Sequence, residues 1–259
     1  MKKINNNALK QKYIDKYKLD TIFSNDMTEF MQVVAFEKGE FLCRENEPIE
    51  CICFFVKGKA KVFRTLKNGK SLLISFYYPL TVLGDLEFIN GENADANIQA
   101  MDESICIWIA LNNKVRKLLS NDVRYLRFTC ESIGEKLVKT SKNCSINLLY
   151  PLESRLASYI IATINKMEDG EIVRFDESLT HVSELLAVSY RHLLRTINLF
   201  LERGLLMKRG KYYEVKNIKE IKRLSADLYM WIDISYLCWW LLSFLYNKNE
   251  ESSIRRKTN

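Results

Sequence analysis

The sequence predicts an α+β protein built from an antiparallel β-roll of the jelly-roll type, a long dimerisation helix and a C-terminal winged helix-turn-helix. Three observations predict this fold: short apolar runs over residues 26–120, a heptad pattern over 121–149, and a helix pair with a basic outer face within 150–228. A polar helical segment over 1–25 precedes these parts, and an apolar extension over 229–259 follows them.

The composition is that of a globular protein whose positive charge is concentrated in one place. At 259 residues, the chain is long enough for two domains that each bury a core. Between residues 189 and 223, ten Lys and Arg stand against three Asp and Glu, so this segment holds the whole net charge of +7. Such a segment is typical of a phosphate-binding surface, although a charge run alone can also be a solvated face.

The predicted β-roll consists of short β-type runs separated by turn residues. The runs lie at 33–36, 40–43, 51–56, 60–63, 72–77, 82–83, 96–100 and 104–109. Asn68-Gly69 is a hairpin signal, because both residue types tolerate a positive φ. Many short strands spaced about ten residues apart favour a closed or double-sheet antiparallel fold.

The segment that follows predicts a dimerisation helix. Residues 122–147 contain no proline and a single glycine, Gly134. Apolar and small residues recur at alternating intervals of three and four, at Val123, Leu126, Cys130, Ile133, Leu137, Thr140 and Cys144. This is the heptad seam of a coiled coil, whereas a helix packed on a core usually shows a broader stripe, which is the alternative. Tyr150-Pro151 should end the helix.

The last part predicts a winged helix-turn-helix. An amphipathic helix over 153–167 and a strand at 172–175 lead into a helix pair that divides at Ala187-Val188-Ser189. Thr180 can cap the first helix, Ser189 can cap the second, and Gly204 follows the end of the second. Two helices joined by a tight turn are typical of a helix-turn-helix, and an ordinary antiparallel helix pair is the alternative.

The second helix of this pair has an outer face suited to reading DNA. Its candidate contact residues are Tyr190, Arg191, His192, Arg195 and Asn198. Side chains on such a helix can reach base edges in the major groove. A hairpin over 205–215 follows as the wing, and its residues Lys208, Arg209 and Lys211 are placed to meet phosphates, as is Thr180 on the first helix.

The order of these parts and five short motifs resemble a known family. The motifs are Phe54-Phe-Val-Lys-Gly58, Gly69-Lys70, Leu83-Gly-Asp-Leu86, Ala187-Val-Ser-Tyr-Arg-His-Leu-Leu-Arg195 and Leu201-Glu-Arg-Gly-Leu-Leu206. Over about residues 20–228 the chain resembles the Crp/Fnr family of bacterial transcription regulators, and most closely its YeiL-like branch. The resemblance implies a β-roll of the cyclic-nucleotide-binding type that senses a signal and relays it through the dimer helix. It also implies a homodimer that binds a palindromic promoter site in double-stranded DNA and contacts RNA polymerase. A signal-independent member with a purely structural β-roll is the alternative.

Departures from the family pattern limit what the resemblance implies. Gly84, Asp85, Leu86 and Asp95 match the effector pocket of cyclic-AMP-binding members. The segment around Asp95 lacks the arginine that holds the cyclic phosphate in those members. Because Asp95 without a compensating guanidinium would repel a phosphate, we expect an effector other than cyclic AMP.

A second departure lies in the reading helix. Arg191 stands where the family usually has glutamate, and it can contact guanine or a phosphate. Arg195 matches the family's other base-reading residue. The half-site sequence therefore does not carry over from the family.

The cysteines of the β-roll allow two interpretations. Cys43, Cys51, Cys53 and Cys106 lie in predicted strands, where they could hold an iron–sulfur cluster or form a redox disulfide. They could equally be small buried hydrophobic residues, which leaves the cofactor unknown. The chain's seven cysteines lack the spacing of a disulfide framework and the first residues lack the apolar core of a secretory signal, so we expect a cytoplasmic protein.

Two further expectations concern catalysis and the C-terminal extension. With His181 and His192 as its two histidines and no cluster of nucleophile, base or metal ligands, the chain is not predicted to be an enzyme or to hold a metal. Residues 228–246 carry one charge, Asp233, and would just span a bilayer. We expect this segment to dock as a helix on the protein or on a partner, and membrane attachment and an accidental extension are the alternatives.

Overall fold

The computed structural model describes residues 1–67, 69, 71–167, 170–173, 179–210 and 212–225, and it has the predicted α+β fold. The helices are α1 (Asn7–Tyr17), α2 (Asp85–Asn90), α3 (Asn113–Ser120), α4 (Val123–Leu149), α5 (Leu152–Thr163), α6 (Leu179–Leu185), α7 (Tyr190–Glu202) and α8 (Ile218–Ser225), with short 3-10 turns at Leu19–Ile22 and Thr28–Phe30. The strands are β1 (Lys2–Ile4), β2 (Met31–Phe36), β3 (Phe41–Cys43), β4 (Cys51–Lys57), β5 (Ala60–Thr65), β6 (Ser71–Tyr77), β7 (Val82–Leu83), β8 (Asn97–Ala100), β9 (Ser104–Ala110), β10 (Asn165–Met167), β11 (Gly170–Val173), β12 (Leu206–Arg209) and β13 (Tyr212–Val215).

The β-roll is built from two antiparallel sheets. Strands β1, β2, β9, β4 and β7 form the first sheet in that order, and β3, β8, β5 and β6 form the second. The predicted hairpin joins β5 to β6, which pair in antiparallel register; Gly69 takes a φ of +79°, whereas Asn68 lies outside the described residues. The short strands expected over residues 33–109 are thus confirmed.

Both faces of the first sheet are covered, which explains why β4 is apolar at consecutive positions. Side chains alternate along a strand. Ile52, Phe54 and Val56 therefore pack outward with the N-terminal helices, α3 and Tyr125 of α4. Cys51, Cys53 and Phe55 pack inward between the two sheets. A strand buried on both faces loses the polar alternation of a half-exposed one.

The N-terminal segment is more closely joined to the β-roll than the sequence predicts. The prediction of a purely helical 1–25 segment is wrong at β1, which pairs with β2 at the sheet edge. Helix α1 then buries Tyr13, Ile14 and Tyr17 in the core of the first sheet. The sequence did not reveal β1, because only one of its three residues is apolar. A strand at the edge of a sheet can form with so few apolar side chains.

Helix α4 runs along the β-roll and is held there at several points. Its N-cap is Asp122, whose carboxylate accepts hydrogen bonds from the amides of Arg124 and Tyr125 and from Ser24 Oγ. Further along, Asn143 donates from Nδ2 to the carbonyl oxygen of Ile74 at 2.7 Å. Helix α4 ends at Leu149, two residues before Pro151, as the sequence predicts.

The C-terminal part is a winged helix-turn-helix, with one correction to its predicted elements. Helix α5 ends at Thr163, not at residue 167, and Asn165–Met167 forms β10 instead. Strand β10 pairs with β11, which begins at Gly170, so sheet pairing overrides the amphipathic periodicity that favoured a longer helix. Strands β10, β11, β13 and β12 form the sheet that carries the wing.

This C-terminal part packs directly on the second sheet of the β-roll. Phe63, Leu73 and Phe76 of that sheet belong to the same apolar cluster as the buried residues of α5, α6 and α7. The ring of Phe63 meets His181 of α6 edge-on, at 5.9 Å between centroids. Lys59, the residue before β5, donates to the carbonyl oxygen of Ala162. The position of the helix-turn-helix is therefore coupled to the β-roll through side-chain packing.

None of the described helices is long and apolar enough to cross a membrane. The apolar segment 228–246 lies outside the described residues.

Candidate nucleic-acid interface

The turn between α6 and α7 sets the direction of the candidate reading helix. Ala187 takes a positive φ of 54°, and the amide of Val188 donates back to the carbonyl oxygen of Ser183. Arg155 of α5, which is buried, donates from Nη1 to the carbonyl oxygen of Leu186. This arginine was not singled out from the sequence, because only the fold places it beneath the turn.

Helix α7 begins where the sequence predicts. Ser189 is its N-cap and accepts from the amide of His192 at 3.2 Å. Gly204 follows its C-cap with a φ of +66°, a conformation that glycine adopts without strain. Along the inner face, Leu193, Ile197 and Phe200 are fully buried in the core of the domain.

The outer face of α7 exposes every predicted contact residue. Tyr190, Arg191, His192, Arg195 and Asn198 are all exposed. Arg191, Arg195 and Asn198 follow at intervals of four and three, so they lie on one side of the helix. Among the described residues, no ion pair engages either arginine. A guanidinium can donate two hydrogen bonds to guanine, and an asparagine amide can pair with adenine, so this face can read base edges.

The wing adds positive charge beside α7. Strands β12 and β13 form the predicted hairpin, which turns at Gly210 with a φ of +58°. Lys208 and Arg209 are exposed on β12. Arg209 is paired with Glu214 at 3.1 Å, which reduces its net charge towards a phosphate. Lys211 lies outside the described residues.

The prediction that Thr180 caps the first helix of the pair is wrong. Helix α6 already begins at Leu179, so Thr180 is its second residue. Its carbonyl oxygen accepts from Ser183 Oγ at 2.7 Å, and its side chain is exposed. A phosphate contact by Thr180 remains a prediction.

Two of the effector-pocket candidates, Gly84 and Asp85, are buried, whereas Asp95 is exposed. Gly84 is the N-cap of α2, and a Cβ built there would lie 2.1 Å from the carbonyl oxygen of Cys51. Asp85 is 1% exposed and pairs with Lys136 of α4, whereas Leu86 is exposed. Lys136 was not singled out from the sequence, because a lysine on an amphipathic helix usually faces solvent.

The charge argument about Asp95 needs a correction. A compensating guanidinium is present, since Arg64 of β5 lies 3.0 Å from the Asp95 carboxylate. The same guanidinium is 3.5 Å from Glu45, so one positive charge faces two carboxylates. Arg64 and Asp95 are far apart in sequence, and only the adjacent β5 and β8 bring them together. The local charge still disfavours an anionic ligand, but for this different reason.

The four β-roll cysteines share one apolar environment. Cys51, Cys53 and Cys106 are buried between the two sheets, and half-buried Cys43 packs against them. Burial raises the pKa of the Cys43 thiol to about 12 and also raises that of Cys51. A hydrogen bond with Cys106, together with burial, raises the pKa of Cys53. Thiols held in this protonated form are weak ligands and weak nucleophiles.

The cysteine geometry favours packing over chemistry. Within the part of the chain that the structure describes, no group of three or more His, Cys, Asp or Glu side chains is arranged to hold a metal ion. The interpretation of these residues as small buried hydrophobic side chains is supported by their burial among apolar side chains and by their raised pKa values.

Comparison with known proteins finds the same architecture elsewhere. A family model described as the cyclic nucleotide-binding domain matches residues 33–122. The regulatory protein YeiL of Escherichia coli O157:H7 is 29% identical over 206 residues, which cover 80% of this chain and 91% of that protein.

Two solved structures share the fold over most of their length. A transcriptional regulator of the crp/fnr family from Eubacterium rectale matches with a TM-score of 0.66 at 12% identity, covering 77% of this chain and 92% of its own. A CRP-family regulator from Thermus thermophilus matches with a TM-score of 0.60 at 14% identity, covering 76% and 98%.

If the β-roll cysteines are packing residues, they should be unreactive in the folded protein. We expect Cys51, Cys53 and Cys106 to be alkylated by iodoacetamide at least about 100-fold more slowly than in denaturant, because burial opposes attack on all three thiols. The raised pKa values of Cys51 and Cys53 oppose it further. Peptide mapping by mass spectrometry measures each site, and the unfolded protein is the control. Rapid labelling of Cys51 or Cys53 in the folded state, or an oxidant-induced disulfide between them, would contradict this interpretation.

Proposed function

Because the chain belongs to the Crp/Fnr family of transcription regulators, we propose that it is a sequence-specific DNA-binding regulator that acts as a homodimer. The observation that carries the proposal is the outer face of α7, where Arg191, Arg195 and Asn198 are exposed on one side of a helix whose other side is buried. In a helix-turn-helix, the residues of the second helix near its N-terminus contact base edges. The three residues occupy the first nine positions of α7.

The proposed contacts with DNA are of two kinds: contacts that read bases and contacts that position the protein on the DNA backbone. Arg195 would read a base, and Arg191 would read guanine or hold a phosphate. Lys208 and Lys211 of the wing, together with Thr180 and Tyr190, would contact the DNA backbone, which positions the protein without reading sequence. His192 and Asn198 lie within reach of the same groove. Arg209 would contribute less, because Glu214 already neutralises it.

A homodimer would form through α4. The predicted seam leaves Val123, Cys130, Leu137 and Cys144 exposed in the single chain, and Leu137 is 69% exposed. The face of α4 next to the seam packs on the β-roll through Tyr125, Thr129 and Asn143. An apolar stripe left uncovered beside a packed face supports a partner helix from a second copy. A two-fold dimer would present two α7 helices to a palindromic site.

Three consecutive segments of the chain would have different roles. Residues 26–120 would sense a signal other than cyclic AMP, 121–149 would relay it, and 150–228 would bind DNA. The shared apolar cluster of the second sheet with α5, α6 and α7 supports such a relay. A signal-independent regulator with a structural β-roll is the second candidate, and the closed site at Asp85 favours it. A redox or iron–sulfur sensor has less support, because the thiols are buried and protonated.

The remaining partners rest on the family alone. We propose a cytoplasmic protein without enzymatic activity that contacts RNA polymerase at promoters, as expected of a transcription regulator. Membrane attachment through residues 228–246 concerns a segment outside the described residues.

The reading role of Arg195 can be tested on any DNA fragment that the wild-type protein protects. Arg195→Ala should weaken binding to a palindromic site by about 1–3 kcal/mol per half-site, because it removes a bidentate base contact. Gel-shift titration at fixed salt measures the loss. Arg203→Ala is the matched control, since Arg203 lies at the far end of α7 and pairs with Glu153 at 3.0 Å. Equal affinities of the Arg195→Ala and wild-type proteins would count against the proposal.

The dimer seam can be tested with two adjacent substitutions. Leu137→Glu should convert the dimer to monomer in sedimentation experiments, because two carboxylates would meet across the symmetric seam. Val138→Glu is the matched control, since Val138 is 55% exposed but lies one position off the seam. If Leu137→Glu sediments as the wild type does, the dimer does not use this face of α4.

A further inference from the structure

The contact between α2 and α4 is a fully formed polar site inside the protein. It lies at Asp85, the first residue of α2, and its other groups come from β6, β7 and α4. The left-handed backbone of Gly84 and its close approach to the carbonyl oxygen of Cys51 fix where α2 begins. The Asp85 carboxylate is thereby held against α4.

Both carboxylate oxygens of Asp85 are used by side chains of α4. Lys136 Nζ lies 2.5 Å from Oδ1, and Ser132 Oγ donates to Oδ2 at 2.7 Å. The backbone amide of Leu86 also donates to Oδ1. A carboxylate that is 1% exposed would be costly to bury without such partners.

The Lys136 ammonium is held from several sides. It donates to the carbonyl oxygen of Val82 at 2.6 Å and lies 5.8 Å from the centre of the Tyr77 ring. Burial lowers the pKa of Lys136, but Tyr77, Asp85 and Glu87 raise it, and on balance it stays above its ordinary value. The lysine is therefore charged, and its charge is met by protein groups.

Ser132 and Lys136 control how α4 presents its seam. Each immediately precedes a seam residue, Ile133 and Leu137 respectively. Fixing Ser132 and Lys136 against Asp85 therefore fixes the rotation of α4 about its own axis, and with it the direction in which the seam faces. The other anchors on α4, Asp122 and Asn143, lie near its two ends.

We propose that Lys136 is the resident ligand of the site at Gly84–Leu86: its ammonium fills the place next to Asp85 and locks α4 to the β-roll without a bound effector. The proposal rests on the proposed function, since α4 is taken as the dimer helix. It assigns this site to an alkylammonium that belongs to the chain itself. The DNA-binding form should then assemble without any small molecule at Asp85.

Chemical rescue tests this proposal. Lys136→Ala removes three methylene groups and the ammonium group of the lysine. Propylammonium has the same three carbons and the same charge, so it should fill the space that the substitution leaves. We expect the dialysed wild-type protein to bind DNA without added effector. Lys136→Ala should bind at least about tenfold more weakly, because the buried Asp85 loses its counter-charge. Propylammonium at tens of millimolar should restore most of that affinity, and 1-propanol at the same concentration should not.

Matched variants separate this role from a general loss of stability. Lys139→Ala is the control on the same helix, since Lys139 pairs with Glu135 at the surface and should bind DNA as the wild type does. If Lys136→Ala fails to fold, Lys136→Met keeps the aliphatic stem and should show the same weakened binding. Sedimentation of each variant reports the dimer independently of DNA.

Three outcomes would overturn the proposal. They are wild-type affinity of Lys136→Ala, a loss that propylammonium does not reverse, and a stoichiometric small molecule that copurifies with the wild type and is needed for binding. If instead the wild-type protein binds no DNA at all, the proposed function fails. Sedimentation then tests the present proposal alone: Lys136→Ala should shift the dimer towards monomer, and propylammonium should restore the dimer. A dimer that Lys136→Ala leaves unchanged would overturn the proposal.

Discussion

The buried ion pair between Asp85 and Lys136 joins the two parts of the molecule that must act together. Without it, the polar anchors of α4 would be Asp122 and Asn143, near its ends, beside the apolar packing of Tyr125. Burying two charges is costly unless their geometry and remaining hydrogen bonds compensate, and here Ser132 and the Val82 carbonyl supply those bonds. The pair contributes less to stability than to specificity, because it selects one rotation of a helix that has two adjacent apolar faces.

The β-roll packs on helices of both the N-terminal and the C-terminal parts of the chain. On one side of the β-roll, the first sheet packs on α1, α3 and the start of α4. On the other side, the second sheet shares its apolar cluster with α5, α6 and α7. The cysteines fill the space between the sheets, where small apolar side chains fit. Thiols in this position are not accessible to reagents in the solvent. The β-roll therefore contacts both α4 and the helices of the C-terminal part.

Local sequence patterns predicted most of the helices and strands, whereas they did not predict contacts between residues far apart in sequence. The extent of α4, the Ser189 cap and the buried face of α7 each depend on residues within a few positions of one another, so spacing alone reveals them. The ion pairs Asp85–Lys136 and Asp95–Arg64 join residues 51 and 31 positions apart, and no local period marks them. The early end of α5 has a related cause, because pairing of β10 with β11 outweighs an amphipathic pattern that continues past Thr163.

The most direct test of the account is selection of DNA by the dialysed wild-type protein from random genomic fragments, with no effector added. The account predicts enrichment of an inverted repeat whose half-site centres lie about 10–10.5 base pairs apart or a multiple of that spacing, set by two α7 helices on a two-fold axis. Enrichment without any symmetric motif would contradict it. Enrichment only after a small molecule that binds at Asp85 is supplied would contradict the role of Lys136 as the ligand of that site.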